Sequence, residues 1–201
     1  MIPVAQKPEP DDFEVKVRTP GRAFLRHVPN PSTQQFNKNG HWQKCLPQLH
    51  TAYGGVCAYS ACWLPMESSV DHFVPKSVDA NLAYEWSNYR LSSLRLNSYK
   101  GEHTDVLDPF LILNGWFVLN LTNFLVEPNA GLEQQIETEV RNTIEVLRLN
   151  RDDWLVKLRF RIVRDYAKNV MPFDFLATYY PFIASELDRQ NQKEAIKAAF
   201  N

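Results

Sequence analysis

Residues 70–103 read VDHFVPKSVDANLAYEWSNYRLSSLRLNSYKGEH, and the order of polar residues within them decides how the whole chain is read. Asp71-His72 comes first, Asn88 follows sixteen positions after His72, Asn97 nine further on, and Lys100 three after that. An apolar residue precedes the Asp-His pair, and Val74-Pro75 follows it. A carboxylate and an amide oxygen are hard ligands of the kind that Mg²⁺ or Mn²⁺ prefers. A neutral imidazole beside them can take a proton from water near neutral pH. A bound metal stabilises the extra negative charge of a five-coordinate phosphate and assists the leaving oxygen. Lys100 and Arg90 supply cations to hold the scissile phosphate or its neighbours. Together these are the parts of a one-metal phosphodiester hydrolysis.

In this order and spacing the segment resembles the HNH nuclease family, the ββα-metal or His-Me finger fold. In that family a DH or HH pair ends the first strand, an Asn sits in the loop joining the strands, and a final His or Asn lies on the following helix. Here the pair is Asp71-His72, the loop residue is Asn88 in YEWSNYRL, and the helix residue is Asn97 in LNSYKG. The DH…N…N order looks like the HNH domain of the CRISPR effector nucleases. The resemblance implies His72 as general base, Asp71 and Asn97 as ligands of one Mg²⁺ or Mn²⁺ ion, and Asn88 as the brace that keeps His72 oriented. Lys100 and Arg90 are the expected phosphate contacts. The ββα core would cover roughly residues 56–101, under a quarter of the chain.

More loosely, KPEPDDFEVKVRTPGRAFL, LHTAYGGVCAY, VLDPF and TIEVLRLNR look like parts of bacterial HNH proteins of this size. Those resemble nuclease subunits of antiviral defence systems, the Septu-like and retron-associated ones, in which an ATPase is encoded beside the nuclease. Many relatives also carry two CxxC pairs for a structural zinc. This chain has Cys57 and Cys62 in C-x4-C spacing, Ser92-Ser93 where a second pair belongs, and a lone Cys45. Without paired spacing, packing of small buried thiols is the expectation rather than a structural zinc.

Working outward, residues 1–35 hold six prolines and read as an extended arm broken by turns. Trp42, Leu46, Leu49 and Tyr53 recur at helical spacing across Pro47, which predicts a short kinked helix ended by Gly54-Gly55. The apolar residues 106–126 predict a β-hairpin turning at Asn114-Gly115. From Leu132 the period changes: Ile136, Val140, Ile144 and Leu147 mark an amphipathic helix. After a break at 149–152, with Asn150 or Asp152 as N-cap, Trp154, Leu158, Ile162 and Tyr166 line a second helix. Residues 186–200 read as a short polar helix. The expected class is α+β: an HNH core over 36–128 with a flanking hairpin, and a helical C-terminal lobe over 129–201.

Twenty-two basic against twenty-three acidic residues give a formal charge of −1, which excludes a protein that coats nucleic acid through net charge alone. The distribution is uneven. Residues 15–100 carry a net +6, whereas 101–140 carry a net −7 with no lysine or arginine. An acidic belt beside a basic core is what an enzyme restrained from indiscriminate DNA binding needs. The longest apolar run, residues 110–121, is too short to span a bilayer, and the opening MIPVAQKPEPDDF lacks the pattern of a signal peptide, so a cytoplasmic protein with no membrane partner is expected.

Several residues keep two readings. Tyr84, Trp86 and Tyr89 could stack on bases, although packing the core is preferred for Tyr84 and Trp86. Asn97 could cap its helix, and His103 lies just outside the family pattern. The group Lys157, Arg159, Arg161, Arg164 and Lys168 is either phosphate-binding or a solvated helix face. The resulting expectation is a DNA-cleaving HNH endonuclease with an ATPase partner. An RNA- or tRNA-cleaving effector of the same chemistry and a non-catalytic nucleic-acid-binding module are the alternatives.

Overall fold

The computed structural model describes residues 1–65 and 68–200. The chain is a mostly helical α+β protein with two small antiparallel strand pairs. It divides into two compact units, one formed by Ala5–Cys57 and Leu64–Thr104, the other by Met1–Val4, Ala58–Trp63 and Asp105–Asn201. The hairpin expected to flank the nuclease core thus belongs with the C-terminal helices. No helix among the described residues is long and apolar enough to cross a membrane.

Residues 1–12 carry no helix or strand, as an arm broken by turns would, but the rest of the span expected to be extended, up to residue 35, is largely helical. A π-helical turn at Glu14–Arg18 runs directly into α1 (Thr19–His27). Pro20 lies in the first turn of α1, where a backbone N–H has no intrahelical partner to lose, so this proline starts a helix rather than breaking one. Pro29 and Pro31 fall after its end. Phe13 and Val17 are completely buried, and Arg18 is held by the carboxylates of Glu9, Glu14 and Glu85. Gly21 permits the close approach of Tyr84: a Cβ there would sit 2.1 Å from the Tyr84 ring. The short α2 (Thr33–Lys38) begins with a capping box between Ser32 and Gln35. A 3₁₀ turn at His41–Cys45 leads into α3 (Leu46–Ala52) with Pro47 in its first turn, which is the kinked helix that the spacing predicts.

Strand β1 (Ser68–His72) pairs antiparallel with β2 (Tyr89–Ser93), Asp71 opposite Arg90 and His72 opposite Tyr89. Helix α4 (Leu94–Lys100) follows β2 without a linking residue. Ser93 ends the strand and caps the helix, its hydroxyl accepting from the Leu96 N–H. Tyr84, Trp86 and Tyr89 lie at 0–3% exposure, and Phe13 meets Trp86 and Tyr89 edge-on at 5.6 and 5.8 Å. These aromatics are core, not base-stacking platforms.

In the second unit, the hairpin lies further along than the sequence indicated. Gly115 does turn the chain, with φ +83°, but the paired strands are β3 (Phe117–Leu119) and β4 (Val126–Pro128). Between them the Asn120 carbonyl oxygen of the side chain accepts from the Thr122 and Asn123 N–H groups, and Asn123 does the same for Leu125. Such side-chain turns compete well with an Asn-Gly turn. Helix α5 (Gln134–Val146) buries Val140 and Ile144, and Asp152 caps α6 (Asp153–Ala167) by accepting from the Trp154 N–H.

Ile162 and Tyr166 are on the buried face of α6 as expected, but its N-terminal half faces otherwise than the spacing indicates. Trp154 is 51% exposed, while Leu155, Arg159, Ile162, Val163 and Tyr166 point inward. Arg159 donates to the backbone carbonyls of Phe124 at 3.1 Å and Leu149 at 2.8 Å, so this member of the basic group is a buried strut and not a phosphate contact. Beyond α7 (Phe173–Tyr179), the single polar helix expected over 186–200 is two helices, α8 (Pro181–Arg189) and α9 (Lys193–Phe200). Asn191 breaks them apart in the left-handed region at φ +52°, a conformation asparagine tolerates better than most residues.

Candidate active site

All of the chemistry-bearing residues in the quoted stretch lie in the first unit, and Asp71, His72 and Asn97 among them line one cavity of about 160 Å³. Asp71, His72, Lys76, Asn97 and Glu102 line it, with Thr33, Phe36 and Asn37 forming another side. Strand β1 delivers the Asp-His pair, and β2 flowing into α4 delivers Asn97.

The imidazole of His72 is 5% exposed and held between the ring edges of Trp42 and Tyr89, at centroid distances of 4.9 and 5.2 Å. Its Nε2 lies 2.9 Å from the Ala83 carbonyl oxygen. A carbonyl only accepts, so Nε2 carries the proton and Nδ1 keeps the lone pair. Burial pushes the His72 pKa down to about 3, helped by the ammonium of Lys76 and opposed by the Ala83 carbonyl. At neutral pH the ring is therefore uncharged, with Nδ1 as its basic atom and Lys76 Nζ 3.4 Å away.

Asn88 spans the loop between the strands. Its Oδ1 accepts from the Val74 N–H at 2.8 Å, and its Nδ2 donates to the carbonyls of Val74 and Leu82 at 3.0 and 3.1 Å. The backbone adds Phe73 N–H to the Asn88 carbonyl at 2.9 Å. The loop that presents Ala83 to His72 is thus closed at both ends.

Asn97 has a determined orientation. The Ser69 hydroxyl donates to the Ser92 carbonyl and accepts from Asn97 Nδ2 at 3.1 Å, and the Val70 carbonyl accepts from the same nitrogen at 3.3 Å. With Nδ2 fixed by two acceptors, Oδ1 is left as an oxygen donor on a residue that lines the cavity. Asp71 is 1% exposed, its Oδ1 3.3 Å from Lys100 Nζ. Among the described residues no group of three or more His, Cys, Asp or Glu side chains is arranged to hold a metal, and the oxygen ligands that the cavity offers include the Asp71 carboxylate and the Asn97 amide.

Two sequence expectations need correcting. Lys100 has no exposed surface: its ammonium donates to the His72 carbonyl at 2.9 Å and pairs with Asp71, which ties α4 to the end of β1. Arg90 is 3% exposed, donates to the carbonyls of Ser87 and Tyr89 at 2.8 and 3.0 Å, and lies over the Phe73 ring. Both are internal ties, because a buried cation must find acceptors inside the protein. Neither is placed to hold a phosphate. His103 is exposed and is not among the residues that line the cavity. Cys45, Cys57 and Cys62 are buried and form no disulfide with one another, and Cys45 donates to the Trp42 carbonyl at 3.1 Å. Sequence reading overlooked Lys76 and the roles of Trp42 and the Ala83 carbonyl.

The fold and this constellation describe a class: an α+β protein whose strand-strand-helix unit gathers a neutral histidine, a carboxylate and an oriented amide oxygen at one small cavity. No family model matches the chain. It is similar to a curated protein, the Septu protein PtuB of Bacillus thuringiensis, with 34% identity over 139 residues. The aligned stretch covers 65% of this chain and 52% of that protein, so the chain spans about half the length of the curated relative it matches.

Proposed function

We propose that the chain is a metal-dependent endonuclease of the HNH, ββα-metal type that hydrolyses DNA, and that it acts as the nuclease of a bacterial anti-phage defence system together with an ATPase partner. The observation that carries the chemistry is the fixed tautomer of His72. With Nε2–H bound to the Ala83 carbonyl, the lone pair of Nδ1 belongs to a residue that lines the same cavity as Asp71 and Asn97. The similarity to the Septu protein supports the defence role and the partner.

The donor chemistry fits one hard divalent ion. Mg²⁺ is commonly held by one or two protein oxygens and keeps several waters, so Asp71 and the Oδ1 of Asn97 would suffice alongside water and phosphate. Such an ion supplies stabilisation of the added negative charge on phosphate and leaving oxygen. His72 accepts a proton at Nδ1 from the attacking water, whose oxygen bonds to phosphorus as the P–O3′ bond breaks. The 3′ oxygen takes a proton from solvent, and His72 returns its own to solvent. Asn88 and Ala83 keep the ring from turning, and Lys100 holds the carboxylate of Asp71 in place.

The test is cleavage of supercoiled plasmid and of total tRNA in Mg²⁺ or Mn²⁺, by the protein alone and with the proposed ATPase partner. Plasmid nicking that stops on addition of EDTA and returns with excess metal is the expected result. Cleavage of tRNA but not plasmid would overturn the choice of DNA. Cleavage indifferent to EDTA would overturn the metal-dependent reading, and absence of cleavage with and without the ATPase would overturn the enzyme.

A further inference from the structure

With Lys100 and Arg90 turned inward, the cavity needs another group to hold a phosphate, and among the described residues that line it Lys76 carries the only positive charge. Lys76 is half-buried, four residues after His72 and just beyond Pro75. Its Nζ lies 3.4 Å from Nδ1 of His72 and 4.9 Å from the centroid of the Trp42 ring. It makes no ion pair within 4.0 Å among the described residues. Its closest polar and aromatic contacts are a neutral imidazole and an indole face, while the carboxylates of Asp71 and Glu102, on the same cavity, attract its ammonium without pairing with it.

This arrangement leaves His72 unable to act as it stands. Nδ1 cannot take a proton from water while an ammonium donates to the same lone pair. A phosphate oxygen is a stronger acceptor for an ammonium than a neutral ring nitrogen, because the hydrogen bond is then charge-assisted on both sides. Lysine also has the flexible stem needed to move between the two. We propose that Lys76 is the phosphate-binding residue of this site, and that on binding the substrate backbone its ammonium leaves Nδ1 of His72 and so clears the base. The proposal rests on the nuclease reading above and assigns the substrate contact within it.

The size of the cavity specifies what is contacted. At about 160 Å³ it is smaller than the roughly 300–1,000 Å³ pockets that enclose drug-sized molecules. It has room for a phosphate with its waters, presented on a larger strand. A phosphate contact from Lys76 positions the backbone and carries no sequence information directly.

Binding without turnover separates this proposal from the one it rests on. Wild-type protein and the Lys76→Met and Lys76→Arg variants are titrated with fluorescein-labelled duplex DNA in EDTA over a series of NaCl concentrations, with thermal melts as a check on folding. Lys76→Met is expected to weaken binding alike for unrelated sequences and to lower the slope of log K against log salt by about 1. Lys76→Arg is expected to keep the wild-type slope. With Mg²⁺ present, Lys76→Met should raise KM severalfold and leave kcat within a few-fold, the mark of lost phosphate binding rather than lost chemistry. If wild type binds DNA and Lys76→Met shows the same slope and KM, the role of Lys76 is overturned while the nuclease reading stands. If wild type shows no salt-dependent binding to DNA, with or without the ATPase partner, the role of Lys76 is overturned, while the nuclease reading is decided by the cleavage test above.

Discussion

Plasmid cleavage by the His72→Ala variant is expected to fall by roughly 10²- to 10⁴-fold, the usual contribution of a positioned general base. The reasoning lies in what the ring touches. Nε2 is committed to the Ala83 carbonyl, so proton transfer has one available atom, Nδ1. His72 is also the only histidine among the described residues lining the cavity. Removing the ring does not orphan the carbonyl beneath it, because the Tyr89 hydroxyl donates to the same oxygen at 2.9 Å. The fold then loses mainly the edge contacts with Trp42 and Tyr89, and a thermal melt reports that loss separately. Single-turnover rates at saturating DNA are the measurement. A variant that remains folded and cleaves at the wild-type rate would remove His72 from the mechanism.

Lys100→Met is expected to be the most destabilising single change at the site, by about 3–5 kcal/mol, the range for removing one partner of a buried ion pair. Lys100 has no exposed surface and Asp71 is 1% exposed, so water cannot replace the lost ammonium without opening the unit. The variant also deletes the hydrogen bond to the His72 carbonyl, which joins α4 to the last residue of β1. Urea unfolding should show a lower midpoint with an unchanged slope. The double variant Asp71→Asn/Lys100→Met should recover much of the loss, since no buried charge is then left without its counter-charge. A Lys100→Met midpoint equal to that of wild type would mean that the pair contributes no net stability.

Those two cations also show where reading the sequence stopped. The order Asp71, His72, Asn88, Asn97 was legible because each residue sits at the end of a strand, in the loop between strands, or on the helix that follows. The kinked α3, the apolar stripe of α5 and the Asp152 cap were legible for the same reason: local spacing and capping chemistry set them. Burial of a charge is not local. Lys100 turns inward because Asp71 and the His72 carbonyl wait 28 or 29 residues earlier in the chain, and Arg90 because it caps carbonyls of its own loop. From sequence alone both look like solvent-facing bases. Lys76, by contrast, follows a proline in a loop and has no periodic signal, so only the folded loop brings its ammonium to His72. The helical stretch from Glu14 to His27 was hidden by counting prolines without asking where in a turn each would fall.

The junction at Ser93 makes the chain unequally tolerant of changes in length. The loop between β1 and β2 is fastened by the side chain of Asn88, and its middle can take an added residue while those fastenings hold. Between Ser93 and Leu94 there is no slack, because one residue ends the strand and begins the helix. A single inserted residue at that point would turn α4 by about 100° about its axis. Asn97 and Lys100 would then swing away from the cavity and from Asp71 together. Relatives of this chain should therefore vary in the length of the loop that carries Ala83 and keep the strand-to-helix junction free of insertions.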